Sequence, residues 1–244
     1  MENSLKAISL YHLSFAFIPI VIVLFIFVKW SISSKRSIHA LTQMLIQLLL
    51  VGYFLGFIFE SNNIWLVGAI LLMMVLFSSW IALSNIPVAR IKLIRHVVLS
   101  ILLSGGFTLL IITQGVLTLT PWYQAQVILP LAGMIFASCM NSISLSGERF
   151  FAESAHGKAD DKARNIAFHA AMIPNINALF AVGIVSLPGM MTGQILSGVA
   201  PFIAARYQIM VMCMIFASAG LASACFLSLI KDKAFHFKST SNPP

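Results

Sequence analysis

Seven stretches of the chain, near residues 8–29, 39–59, 64–83, 95–114, 123–143, 172–197 and 203–230, stay apolar for long enough to matter. About 20 such residues let an α-helix cross roughly 30 Å of hydrocarbon. None shows the alternation over about ten residues that marks a transmembrane β-strand. The pattern therefore predicts an all-α integral membrane protein, a polytopic bundle of about seven helices. Composition leaves no room for a soluble alternative. Of 244 residues 59% are hydrophobic and 9% charged, with a mean hydropathy of +0.96, whereas a soluble domain needs about a quarter of its residues charged. The first run lacks a basic leader and a small-residue cleavage site, and Lys29 and Trp30 follow it directly, so it reads as a retained span.

The net charge of +8 marks orientation, not nucleic-acid binding, because the basic residues sit between the apolar runs. Of the 15 lysines and arginines, all but Lys6 and Arg206 follow the first, third, fifth or seventh run. Cytoplasmic loops hold the excess of such residues, which puts the amino terminus outside and the carboxyl terminus in the cytoplasm. Trp30, Trp65, Trp80 and Trp122 all fall at span boundaries, where indole rings prefer to lie. The chain reads as one membrane domain over residues 1–230, with a short basic cytoplasmic tail at 231–244.

One connection is long and carries both signs of charge. Residues 144–171 contain Glu148, Arg149, Glu153, Lys158, Asp160, Asp161, Lys162 and Arg164. Asp160 and Asp161 suit the positive end of a helix dipole, so the second half of this cytoplasmic segment is expected to be a capped helix beginning at Asp160. It fits either a solvated connection or a surface that meets a partner.

The chemistry of an enzyme is missing. The only Gly-Lys pair, Gly157-Lys158, lacks the remainder of a phosphate-binding loop, and neither HExxH nor GxSxG occurs. No catalytic residue and no cofactor is assigned. Cys139, Cys213 and Cys225 lie in apolar segments without metal-ligand spacing, which argues against a disulfide framework or a zinc site.

Polar groups within the spans are mostly amides: Gln43, Gln47, Asn141, Asn175, Asn177, Gln194 and Gln208, with Glu60 at the outer end of the second run. An amide in hydrocarbon needs a partner, so these residues should face other helices or water. They fit packing or a conduit. Gly52-x-x-x-Gly56 and Gly189-x-x-x-Gly193 would permit close helix approach. The sixth run is the most informative, since Pro188 removes a backbone donor and Gly189 loosens the following turn. A break is expected there, and broken helices recur at transport sites.

The segments "MNSISLSGERF" (140–150), "IPNIN" (173–177), "VSLPGMMTGQILSG" (185–198) and "RYQIMVM" (206–212), in this order, resemble the FetB-type ABC transporter permeases. These are bacterial iron-export permeases similar to the membrane subunits of plant aluminium-tolerance transporters. The resemblance covers most of the chain. It implies a permease in the bacterial inner (plasma) membrane, paired with a separate ATP-binding cassette subunit, usually with two copies of each. Iron or another metal cation is the implied cargo, for which the residues themselves assign no ligands. The translocation residues it suggests are Gln47, Asn141, Asn177, Pro188, Gly189, Met190, Met191, Gln194 and Gln208. Coupling to the ATPase would fall to Glu148, Arg149, Glu153 and Gly157, where "AESAHG" and Pro174 form a loose version of the permease coupling loop. Considered without the resemblance, the residues also fit a stand-alone channel or secondary transporter for a metal or small solute.

Overall fold

A computed structural model describes residues 9–30, 34–60 and 63–230. It is helical throughout, and the described residues hold no strand beyond a single bridge between Val182 and Ser186. Six helical segments are long and apolar enough to cross a membrane: Tyr11–Lys29, Lys35–Phe54, Ile64–Asn85, Arg90–Val116, Ala125–Ala155 and Pro201–Ile230. The sequence suggested seven. The difference lies in the sixth run, which forms two separate helices.

The chain divides into two compact units, Met1–Ser61 and Asn62–Pro244. In the first, α1 (Leu10–Ser14) is capped by the Ser9 hydroxyl, which accepts from the His12 amide at 3.3 Å. A 3-10 turn, Phe15–Phe17, leads into α2 (Ile18–Lys29), with Pro19 in its first turn where the missing amide costs nothing. α3 spans Lys35–Glu60. Pro19, Val23, Phe27 and Leu41 help line an apolar cleft of about 340 Å³ within this unit.

The second unit holds α4 (Ile64–Ala82), α5 (Arg90–Leu110), α6 (Ala125–Ala155), α7 (Asp160–Ala181), α8 (Gly189–Leu196) and α9 (Pro201–Ile230). Their directions can be read from the contacts. Ser138 donates to the Ile215 carbonyl, and Ser142 to that of Ala219, both at 3.0 Å. Further along, Gly147 lies against Phe226. The offset of close to 77 residues stays almost constant, so α6 and α9 run parallel. Met74 near Gly133, Asn85 near Ser144 and Ile86 against Gly147 give the same direction for α4. In contrast, Ser104 meets Cys139 and Gly105 meets Phe136, which makes α5 antiparallel to them. α7 is also antiparallel, with Met172 beside Gly220. Because α6 and α9 share a direction, the segment between them carries the chain back to the end at which α6 begins.

Small residues and hydroxyls hold this bundle together. Cys139, Ser142, Ala219, Ala222 and Ser223 are all buried along the α6–α9 seam. The Cys139 thiol donates to the Ser218 carbonyl at 3.5 Å, and Ser142 and Ser223 share a hydroxyl contact. On α5, Ser100, Ser104 and Thr108 recur every fourth residue, and each returns its hydroxyl to the carbonyl one turn back. Such back-bonding satisfies a hydroxyl where no water is available. A short π-helical segment, Ile111–Val116, continues α5. The amides fit either packing or a conduit, and among the described residues most of the interhelical bonds along this seam come from hydroxyls.

Among the described residues, no neighbouring side chain or backbone lies close to the glycine pairs expected to permit close approach. A Cβ added at Gly189 or Gly193 would meet nothing within 4 Å, and the same is true of Gly52 and Gly56. The glycines that matter are Gly105, where a Cβ would come within 3.0 Å of the Phe136 ring, and Gly147, which is pressed by Ile86 and Phe226. Pattern alone could not select these, because close approach depends on the neighbour's side chain.

Candidate functional site

The break in the sixth run falls where Pro188 suggested, but it opens earlier. α7 starts at Asp160, runs through Pro174 and stops at Ala181. Its last carbonyl then accepts the amides of Val185 at 2.8 Å, Ser186 at 3.1 Å and Ile184 at 3.3 Å. Gly183, with φ +83°, turns the chain in a conformation that favours glycine. Pro188 caps α8, and its carbonyl accepts both the amide and the hydroxyl of Thr192, at 3.0 and 3.1 Å. The backbone of the break is thus largely satisfied by its own turns. Met190 and Met191 are half-buried on α8, whereas Gly189 and Gly193 are exposed.

Two side chains near the break are not satisfied. Gln208 on α9 is 5% exposed, and its Oε1 finds no hydrogen-bond donor among the described residues. Gln194 on α8, half-buried, has an equally enclosed and unpartnered Oε1. α8 packs on α9, so both belong to one helical corner.

A separate cavity of about 310 Å³ lies among α6, α7 and α9. Met134, Ser138, Asn141, Pro174, Asn175 and Ile215 contribute to its wall. It brings Asn141 and Asn175 together, but Asn177 is exposed outside it, so the expectation that the amides share one interior face does not hold. One helical turn holds 3.6 residues, and Asn175 and Asn177 therefore point about 160° apart, to nearly opposite sides of α7. Gln43 and Gln47 are exposed on α3 in the first unit. Glu60 ends α3, and its side chain lies outside the described residues, as does the tail at 231–244. Among the described residues no group of three or more His, Cys, Asp and Glu side chains is placed to hold a metal ion.

The segment 144–171 is not a loop. α6 continues to Ala155 and α7 resumes at Asp160, leaving only residues 156–159 outside a helix. A helix of 31 residues is about 46 Å long, roughly three turns more than the hydrocarbon thickness requires. Asp160 does not cap α7 with its side chain. Ala159 is the capping residue, and Asp160 and Asp161 occupy the first turn, where the dipole favours them. Arg164 pairs with Asp161 at 3.3 Å.

The tip of this helical arm is organised by Glu153. Its buried carboxylate takes Arg149 on one oxygen and Lys158 on the other, each at 2.6 Å. The Lys158 ammonium, and after it the Arg149 guanidinium, hold the carboxyl below the usual glutamate range. Lys158 also donates its amide to the Glu153 carbonyl, and Gly157 makes the turn at φ +80°. Glu148 is exposed beside this cluster. The ion pairs thus belong to Glu153, while Glu148 makes none among the described residues, a division that spacing alone did not reveal. At the base of the α4–α5 connection, Arg90 stacks over Trp80 at 4.9 Å.

The long apolar helices, the buried hydroxyl seam and the charged helical arm define an all-α polytopic membrane protein. Residues 10–235 match the Uncharacterised protein family UPF0014, and the chain belongs to that family. It is 33% identical over 211 residues to a UPF0014 membrane protein of Synechocystis, covering 79% of this chain and 80% of that one. With the probable iron export permease protein FetB of Escherichia coli it shares 31% identity over 242 residues, 90% of each chain. Protein ALUMINUM SENSITIVE 3 of Arabidopsis thaliana is 28% identical over 205 residues, 77% of this chain and 73% of that one. No solved structure matches.

Proposed function

We propose that this chain is the permease subunit of an ABC transporter in a plasma membrane of the bacterial inner-membrane type, exporting iron or another metal cation. It has no phosphate-binding loop of its own, so ATP hydrolysis falls to a separate subunit. The role is transport, without catalysis by the permease. The observation that carries this reading is the charged turn between α6 and α7, where Glu153 holds both Arg149 and Lys158 in a chain otherwise made mostly of apolar spans. The likeness to a protein named as an iron export permease supports the cargo.

In this reading residues 1–230 form a single permease domain that works as a homodimer. Seven crossings place the amino terminus outside, with α7 and α8 together making the sixth. The arm and the basic tail then share the cytoplasmic side. Docking of the ATPase on Glu148, Arg149 and the Glu153 turn moves α6 and α7, and α8 transmits that movement to the break at Gly189 and Pro188. Asn141, Met190, Met191, Gln194 and Gln208 border the path.

Co-purification tests the partner, and proteoliposome flux over a panel of metals, with and without ATP, tests the transport. An ATP-binding subunit should co-purify with the chain, and reversing the exposed charge in Glu148→Lys should weaken that association while the helices stay folded. Flux by this chain alone, without ATP, would favour a channel or secondary transporter instead.

A further inference from the structure

The two sides of α7 differ in a way that lipid alone does not explain. Ala163, Ala167 and Ala171, one turn apart, are fully buried and seat the helix in the second unit. Asn165, His169 and Ile173 each stand two residues further on, about 160° round the helix. All three are exposed, as is Asn177 one turn beyond Ile173. From Leu99 to Leu110 the outer stripe of α5 is different, because Leu99, Leu103, Phe107 and Leu110 make it wholly apolar and suited to lipid. α7 is not one of the six segments long and apolar enough to cross a membrane, and its outer face is the reason.

Register gives the depth of Asn177. Asn175 shares a cavity with Ile215, which stands close to the midpoint of α9 (Pro201–Ile230). Asn177 is two residues, about 3 Å, further along, so its amide lies near the middle of the spanning bundle. An amide left in hydrocarbon has no partner for its N–H donors or its oxygen, and such a group is costly to leave unpaired. Ile173 and Phe180, 44% and 77% exposed, flank Asn177 on the same side of the helix. A neutral amide set among large apolar groups is the chemistry of a helix–helix contact within a membrane.

We propose that the outer face of α7, from His169 to Phe180, is the surface on which a second copy of this chain docks. A side-chain amide both donates and accepts, so Asn177 can pair with its own counterpart across a two-fold axis, where a residue near the axis meets itself. A group that only donates or only accepts lacks that self-complementarity. Packed helices stand about 8–10 Å apart, which brings facing amides within reach of each other. This assignment rests on the homodimer in the permease reading and names the face at which the copies meet.

Cross-linking of the full chain in membranes tests this. Cysteines are introduced singly into a Cys213→Ala/Cys225→Ala background that keeps the buried Cys139, and a short bismaleimide is added. Ile173→Cys and Asn177→Cys should give a covalent dimer, whereas Phe107→Cys on the apolar stripe of α5 should stay monomeric. Asn177→Leu should raise the dimer dissociation constant in detergent by about threefold to tenfold, the loss of one or two membrane hydrogen bonds, and Asn177→Gln should largely restore it. Thermal melts verify folding, and if Asn177→Cys does not fold, Ile173→Cys and His169→Cys carry the result. A dimer band from Phe107→Cys alone, or only monomers from the α7 variants, would overturn the interface, whether lipid or α3 of the same chain then covers α7. Co-purification of the ATP-binding subunit is scored separately. If that subunit joins while α7 gives no dimer, only this interface falls; if α7 cross-links while no such subunit ever joins, the permease reading falls.

Discussion

The Phe136 ring lies so close to Gly105 that a methyl group added there would sit 3.0 Å from two of its ring carbons. Gly106, the next residue on α5, faces open space. Replacing glycine by alanine within a helix normally gains about 1 kcal/mol, so these neighbours should respond in opposite directions. We expect Gly106→Ala to be neutral or to stabilise by up to about 1 kcal/mol. Gly105→Ala should lose about 1–3 kcal/mol through overpacking against a buried ring. Thermal melts followed by circular dichroism in detergent will decide, and equal shifts for both variants would mean that α5 and α6 are not this close.

Ser142 should matter more than its size suggests. Its hydroxyl donates to the Ala219 carbonyl and also meets Ser223, so Ser142→Ala removes one interhelical bond and strands a second hydroxyl. Interhelical bonds within membranes average about 0.6 kcal/mol, with a maximum near 1.7. A loss in the upper part of that range is expected for Ser142→Ala, and less for the double variant Ser142→Ala/Ser223→Ala than the sum of the two single changes. Strict additivity in this cycle would show that the two hydroxyls do not interact.

Glu153 should govern the order of the arm. Glu153→Gln removes the charge that holds Arg149 and Lys158, and trypsin should then cut faster after Lys158. Because the folded carboxyl is held below the ordinary glutamate value of 4.5, the stability it adds is fully present above that pH. It is lost only as the pH falls through the lower, folded value. Acid-stable protection of the arm is therefore expected between pH 5 and pH 7 in the wild type, measured by hydrogen exchange of residues 153–158. Loosening of the arm within that range would contradict the double ion pair.

Gly157 offers a control on the same turn. At φ +80°, an alanine is strained by about 1–2 kcal/mol although nothing stands within 4 Å. Gly157→Ala should thus speed proteolysis of the arm while leaving the melting of the helical bundle unchanged. An unaffected cleavage rate would argue that the turn adopts another conformation.

How much was legible in advance depends on the range of the forces involved. Trp65 lies in the first turn of α4, Trp80 in its last, and Trp30 closes α2, as the preference of indole for the interface suggested. The break before Pro188 was legible for a similar reason, since a residue without an amide donor changes the backbone wherever it stands. Residues 144–171 were legible only in their second half, where a helix is expected to begin at Asp160 and does. The first half reads as a connection, but Arg149 and Glu153 pair along α6, which runs on to Ala155. Charged residues are good helix formers when such partners lie three or four positions away.

By itself the sequence determined the solvent of this protein, the helical character of its spans and the place where one of them breaks. Those properties follow from the hydrophobicity of each run and from the backbone chemistry of single residues. Only the tertiary structure decided that α6 and α9 lie parallel, that Gly105 and Gly147 are close contacts, and that Gln208 is enclosed with no donor for its Oε1 among the described residues while Asn177 is exposed. In lipid an apolar helix gains no hydrophobic free energy by turning one side inward, so its packing face is set by fit and hydrogen bonding with a particular neighbour. That neighbour is chosen in space, 77 residues away along the chain for Ser142 and Ala219.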